Sequence, residues 1–68
     1  MSMELEEVKR NLNKMVVYKG IPNIYKLTAC TLRKNENGFF YQVELQDTKN
    51  KNSVIIGGMK DIEAEGEQ

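Results

Sequence analysis

Few residues of this 68-residue chain could perform catalysis or bind a metal. There is no histidine, which removes the commonest general base near neutral pH and the commonest metal ligand. Cys30 is the only cysteine, so this sequence offers neither an internal disulfide nor a zinc site with paired cysteines. We expect Cys30 to be a small packing residue of a strand, rather than a reactive thiol.

Three acidic residues near the end of the sequence, Glu63, Glu65 and Glu67, lie close together. We predict that residues 63–68 form a disordered acidic tail, which could not hold these carboxylates rigidly around a cation. Gly57-Gly58 lacks the Lys-Ser/Thr pair and the helix that follow a phosphate-binding loop, so we interpret it as the end of a strand. A chain this short buries only roughly 60% of its unfolded surface. We therefore predict no enzymatic activity, no metal and no cofactor.

The charges are segregated along the chain although they sum to zero. Residues 1–7 carry −3 and residues 61–68 carry −4. The ten basic residues, less three acidic ones, give residues 8–60 a charge of +7. A basic body between acidic ends could bind a polyanion or an acidic partner. The alternative is that the ends fold back and neutralise the body, or that the charges are only solvated.

The candidate binding residues are the basic and aromatic side chains of this body. They are Tyr18, Tyr25, Lys26, Arg33, Lys34, Phe40, Lys49 and Lys51. Arg33 and Lys34 precede one predicted loop, while Lys49 and Lys51 lie in another. These loops are at opposite ends of a predicted strand and about 30 Å apart, so they need not form one patch. Because lysine dominates and no base-reading motif is present, any nucleic-acid binding would be mainly electrostatic.

Phe40 has two competing roles. It alternates with the predicted core residues of its strand, so it should point away from the main core, where an aromatic ring could anchor a partner or stack on a base. The alternative is that Phe40 packs beneath an amphipathic N-terminal helix, against Leu5, Val8 or Leu12.

The strand that carries Phe40 is the clearest predicted element. Its apolar face comprises Phe39, Tyr41, Val43 and Leu45, with the period of two that is typical of a half-buried strand. Asn37-Gly38 predicts a hairpin turn with positive φ angles before it. The preceding strand, residues 25–33, changes its apolar face, which predicts a bulge or bend near Cys30 or Thr31.

The remaining elements are shorter. The spacing of apolar residues predicts a helix over residues 3–13, capped by Ser2. We predict strands at residues 15–18 and 53–56, a turn at residues 20–23, and a fifth strand, or a turn followed by one, at residues 59–62. The predicted organisation is an N-terminal helix in residues 1–14, a small β domain in residues 15–62 and the acidic tail.

One segment resembles a known family. Ala29 followed by Gly38-Phe39-Phe40-Tyr41-Gln42-Val43-Glu44-Leu45 is similar to the Tudor-type pattern of an alanine and then Gly-x-Trp-Tyr-Arg-Ala-x-Val. Phe40 would occupy the aromatic position, Tyr41 and Val43 the inward ones, and Val54 and Ile56 the apolar pair of the next strand. The resemblance covers residues 27–56 and implies a mainly β, five-stranded antiparallel SH3-like barrel.

The resemblance implies architecture rather than a ligand. Tudor-type proteins bind methylated lysine or arginine through an aromatic cage, part of which comes from an Asp-Tyr-Gly segment. This chain has Gly57-Gly58-Met59 there instead.

Two functions fit these features. The first is a small non-enzymatic module for protein–protein interaction, with an unidentified protein partner or a second copy of the chain, because residues 54–56 form an apolar strand that could lie at a sheet edge. The alternative is a nucleic-acid-binding accessory protein that uses residues 8–60. Overall neutrality favours the first. Without a long apolar run or a signal-peptide core, we expect a cytoplasmic protein with no membrane contact. Its abundant Lys and Asn resemble the composition of proteins from AT-rich bacterial or mobile-element genomes, and we expect a bacterial source.

Overall fold

A computed structural model describes residues 3–65 of the chain. Its elements are α1 Leu5–Arg10, β1 Met15–Tyr18, β2 Ile21–Asn35, β3 Gly38–Asp47, β4 Val54–Gly58, a 3-10 helix Met59–Asp61 and β5 Ile62–Ala64. The strands form one antiparallel sheet in the order β4-β3-β2-β1-β5. The predicted mainly β class with five strands and one short helix is confirmed. Closure into a barrel is not, because β4 and β5 are the two edges of this sheet.

One face of the sheet carries the hydrophobic core. Leu27 of β2 lies opposite Leu45 of β3, and both side chains are fully buried. Val16 of β1 lies opposite Tyr25 of β2, and both are also buried. Partners across an antiparallel sheet share a face, so these pairs define the core face. The other buried residues of the core are Met3, Val8, Val43 and Ile62, so both the N-terminal segment and β5 contribute to it.

The predicted irregularity of β2 is present, but at Thr28 rather than near Cys30 or Thr31. The register of β2 against β3 shifts between Leu27 and Ala29. The extra residue reverses the alternation, so Cys30 lies opposite Val43 and packs against the core. Ala29 lies opposite Glu44 on the outer face. Ala29 and Leu27 therefore lie on opposite faces of the sheet.

The strand β4 turns one of its three consecutive apolar residues toward the core. Ile55 lies opposite Leu45 and packs against the core, whereas Val54 and Ile56 face outward and are exposed. The two residues that the resemblance implied as the apolar pair of this strand, Val54 and Ile56, therefore lie on the outer face. Three consecutive apolar residues do not by themselves specify which face is buried.

The helix is shorter than the predicted residues 3–13. The Asn11 side chain donates a hydrogen bond to the Glu7 carbonyl at 2.7 Å, and Asn13 adopts a left-handed φ of 68°, which ends the helical path. At the other end Glu4 is the N-cap residue, and its backbone N–H donates to the Glu7 carboxylate at 3.4 Å. The predicted cap, Ser2, lies outside the described residues.

Both turns of the sheet differ slightly from the prediction. In the β2–β3 hairpin only Gly38 has a positive φ, of 120°, while Asn37 donates its N–H to the Asn35 side chain at 2.8 Å. Pro22 lies inside β2 rather than in a turn. This is tolerated because Tyr18 pairs with Ile21 and Val17 with Ile24, so Pro22 falls in an irregularity of the ladder.

The last elements extend the sheet beyond the predicted domain boundary. The second alternative, a turn followed by a strand, is confirmed by the 3-10 helix and β5. Glu63 and Ala64 belong to β5, which pairs with β1, so the prediction that a disordered tail begins at residue 63 is wrong. Residues 66–68 of that predicted tail lie outside the described residues.

Candidate interaction surface

The β2–β3 hairpin extends beyond the core as a two-stranded arm, residues 31–41. The strand β1 pairs with β2 only as far as Lys26, and β4 pairs with β3 only as far as Gln42. Within residues 3–65, the strands of the arm therefore pair only with each other. At the arm, the apolar face that continues from the core is exposed to solvent.

An apolar stripe continues the core face along this arm. Leu32 lies opposite Tyr41, and Lys34 lies opposite Phe39, in register with the core pair Cys30 and Val43. Leu32 is 54% exposed and Phe39 is 70% exposed. The Lys34 ammonium lies 5.4 Å from the centre of the Phe39 ring, a cation–π contact. These two cross-strand pairs lie on the same face of the sheet as the core, but this part of the face is exposed to solvent.

A groove of about 460 Å³ separates the arm from the 3-10 helix. Its lining consists of consecutive residues of β3 on one side and the segment that follows β4 on the other: Phe39, Phe40, Tyr41, Gly58, Met59, Lys60 and Asp61. The lining is more apolar than polar and is open to solvent. A surface of this kind can hold an apolar side chain of a partner.

The edge strand β4 is a second accessible surface. It lies at one end of the strand order, and the segment from Ser53 to Met59 contains no charged residue. Val54 is 47% exposed and Ile56 is 57% exposed. Natural sheet edges are commonly blunted by charges, by proline or by a bulge, because unpaired backbone groups invite another strand. The pairing of β4 with β3 is regular, and β4 has none of these protections.

The predicted tyrosines do not belong to either surface. Tyr25 is 6% exposed and lies in the core. Tyr18 is half-buried, packs against the core and covers Gly57. Both have structural contacts that account for them. Lys26, half-buried, lies on the outer face between Met15 and Gln46.

The basic candidates are divided between the two ends of β3. Arg33 and Lys34 lie on the arm, whereas Lys49 and Lys51 lie in the β3–β4 loop at the opposite end of the strand. That loop is organised by Asp47, whose Oδ1 accepts hydrogen bonds from the N–H groups of Lys49 at 2.7 Å and Asn50 at 3.3 Å. The structure does not bring these basic residues together into one patch.

Phe40 is neither a fully exposed aromatic residue nor a residue packed beneath the N-terminal helix, the two environments that the sequence predicted. It is half-buried and lines the groove, opposite Arg33 on β2. It is not part of the core cluster that contains Val8, so the N-terminal helix is not what accounts for it. Phe40 thus contributes one wall of a surface groove rather than a free aromatic anchor.

Cys30 carries the only thiol among the described residues. Burial raises the pKa of the Cys30 thiol, which lowers the fraction of reactive thiolate at neutral pH. Residues 3–65 contain no group of three or more His, Cys, Asp or Glu side chains placed to hold a metal ion. In the same range, no helix has the length and apolar character needed to cross a membrane.

Comparison of the chain with known protein families, curated proteins and solved structures found no significant match.

Sequence reasoning missed the most exposed apolar residues. Phe39 lies in the same alternation as the core residues of β3, but it is 70% exposed because β3 extends beyond the core. The bulge at Thr28 puts Leu32 on the core face, at a position beyond the core. One feature of the sequence could have indicated this exposure: the hairpin of residues 25–47 is much longer than the predicted strands on either side of it. Nothing in the sequence indicated that Lys60 would line the groove.

Proposed function

We propose that this chain is a small, non-enzymatic binding module that acts through protein–protein contact, with a second copy of itself or another protein chain docking on β4. The observation that carries the proposal is the uncharged edge strand whose Val54 and Ile56 are exposed on the outer face. A strand with unpaired backbone and exposed apolar side chains supplies both the hydrogen bonds and the contact area of strand addition.

Self-pairing of β4 has a simple symmetric solution. Two copies related by a two-fold axis at Ile56 would place this residue opposite its equivalent, and Val54 opposite Gly58 of the second copy. The outward isoleucines would then cover each other. No like charges would meet along the strand, because residues 53–59 are uncharged.

The test is sedimentation of the wild-type protein and of Ile56→Lys over a range of concentrations. We expect concentration-dependent association of the wild type and a monomeric Ile56→Lys variant, because a lysine at the edge opposes pairing. Met15→Lys is the matched control, since Met15 is also an exposed apolar strand residue but lies on β1. A wild type that is monomeric throughout and that recovers no β4-dependent partner from lysate contradicts the proposal.

We infer further that the sheet is an open form of the small SH3-like barrel. Two contacts support this: β5 returns to pair with β1, and Tyr18 of β1 touches Gly57 of β4. Both follow from a strongly curled sheet, which the bulge at Thr28 promotes. A free, half-buried thiol also fits the cytoplasmic location that we propose.

Nucleic-acid binding is the second candidate, and one observation favours it. Phe39 is exposed and lies beside Lys34, with Arg33 next in sequence, and such a combination can stack an unpaired base next to a phosphate. The test is binding of fluorescent single- and double-stranded DNA and RNA at about 50 and 200 mM salt. Binding that falls steeply with salt and is lost in Phe39→Ala would favour this function, and absence of binding at low salt would exclude it.

A further inference from the structure

The groove beside β3 occupies the position in which β4 would have continued. The last pair of β3 and β4 is Gln42 with Gly58, after which the chain turns away into the 3-10 helix. Residues 38–41 of β3 therefore lack a neighbouring strand on this side, and the described part of the chain supplies no backbone hydrogen bond to them there. One wall of the groove is unpaired strand and the other is the 3-10 helix.

The length of this unpaired edge suits a short extended segment. Four strand residues span about 13 Å. Alternate residues of a strand direct their backbone groups to the same side, so roughly half of residues 38–41 can bond to an added strand. This short edge alone would give a second copy far less contact than the about 800 Å² per partner of a stable interface.

The side chains at the groove define what such a segment would carry. Phe39 and Tyr41 point to the core face of β3, and Met59 lies across the groove. Lys34 lies over Phe39, and Lys60 lines the groove. Within residues 3–65 neither lysine forms an ion pair. The lining itself carries one ammonium group, that of Lys60, and one carboxylate, that of Asp61, and the Lys34 ammonium over Phe39 adds a positive charge beside the groove.

We propose that the groove binds an extended segment of a partner protein, which adds to residues 38–41 as a strand and carries an apolar and an acidic residue two positions apart. The spacing follows because Phe39, Tyr41 and Lys34 lie on one face, and alternate residues of an added strand face the same way. The bound segment lies in line with β4. It does not use the outer edge of β4, so the proposal is independent of the β4 contact.

The first test is selection of short peptides from a phage-displayed library on the wild-type protein, with counter-selection on Phe39→Ala. We expect the enriched peptides to share an apolar–any–acidic pattern. A labelled synthetic copy should bind Lys60→Glu about tenfold more weakly, because the reversed charge repels the peptide carboxylate. Lys49→Glu, at the far end of β3, is the matched control and should bind as the wild type does. Equal weakening by both variants, or no enrichment, overturns the proposal.

The second test asks whether the peptide binds as a strand. N-methylation removes one backbone donor at a time, so methyl groups on alternate peptide residues should abolish binding, while those on the intervening residues should not. Tolerance of every N-methyl group overturns strand addition.

Two further outcomes separate this proposal from the alternatives. Ile56→Lys should bind the peptide normally even where it abolishes self-association, so failure of the β4 contact leaves the groove intact. Self-association that is lost in Phe39→Ala, or nucleic acid that competes fully with the peptide, would assign the groove to another occupant and overturn the proposal.

Discussion

The phenol ring of Tyr18 covers Gly57, although β1 and β4, which carry them, are separated in the sheet by β2 and β3. A Cβ atom on Gly57 would lie 2.8 Å from the Tyr18 hydroxyl oxygen and 3.0 Å from Cζ, too close for a real side chain. The sheet therefore curls until two non-adjacent strands touch across its core face. The absence of a side chain at residue 57 permits this contact.

Gly57→Ala is expected to destabilise the protein by about 1–3 kcal/mol, because the added methyl group forces the Tyr18 ring out of position. Urea unfolding followed by circular dichroism measures the change. Gly58→Ala is the matched control, since its Cβ would meet only the flexible Asp61 carboxylate at 3.0 Å. In a double-mutant cycle, Tyr18→Ala should remove most of the additional cost at residue 57. Additive effects would show that the ring is not the obstacle.

Thr28→Val is expected to lower the free energy of unfolding by about 1 kcal/mol. The Thr28 hydroxyl lies 2.8 Å from the Glu44 carboxylate and 3.1 Å from the Glu44 carbonyl, and these bonds hold the bulge of β2 against β3. Thr31→Val changes the same chemical group at an exposed position and should have little effect. If the two variants unfold at the same urea concentration, the hydroxyl does not stabilise the bulge.

Cys30 should react slowly with iodoacetamide in the native protein, because burial raises its thiol pKa and lowers the thiolate fraction. Mass spectrometry of the alkylated fraction over time checks this. The urea-unfolded chain, in which the thiol is solvated, is the control and should react faster. Equal rates in the two states would contradict the packing of Cys30 against the core.

The same shift gives a sign for the pH dependence of stability. A thiol whose pKa is raised by folding stabilises the native state at pH values below its unfolded pKa, and this contribution is lost as the pH rises through the higher pKa of the folded state. The wild type should therefore lose more stability than Cys30→Ala between neutral and alkaline pH in urea titrations. Parallel pH profiles for the two proteins would contradict the shift.

Asp47→Ala should destabilise the protein by roughly 1–3 kcal/mol, because it removes several hydrogen bonds at once. Its Oδ2 accepts from the Asn23 side chain at 3.1 Å, while its Oδ1 organises the β3–β4 loop. Asn52→Ala in the same loop is the control, since only the backbone N–H of Asn52 bonds, to Asn50 Oδ1 at 3.2 Å. Urea unfolding compares them, and equal effects would show that Asp47 has no special role.

The parts of the fold that sequence predicted are those with a local signal. The period of two in residues 39–45 and the Asn37-Gly38 turn identified the hairpin, because alternation and turn chemistry depend only on neighbouring residues. The orientation of β4 was missed, since Val54, Ile55 and Ile56 are all apolar and only pairing with β3 decides which one is buried.

The candidate surfaces were predicted less well, for a physical reason. Tyr25 looks like a surface aromatic in sequence, yet it is buried opposite Val16, because exposure depends on what covers a residue. Phe39 was predicted on the apolar face of its strand, yet it is exposed, since β3 continues past the end of β4. The separation of Lys49 and Lys51 from Arg33 and Lys34 was predicted, because it follows from their positions around one strand.

The pairing of β5 with β1 has a consequence for biosynthesis. Ile62 is fully buried and lies opposite Tyr18, so the core includes residues from both ends of the described chain. During translation the hairpin of β2 and β3 can form on the ribosome, but the core stays incomplete until Ile62 has left the exit tunnel. The described residues therefore finish folding only after Ile62 has emerged, and closing the long loop between β1 and β5 slows this step.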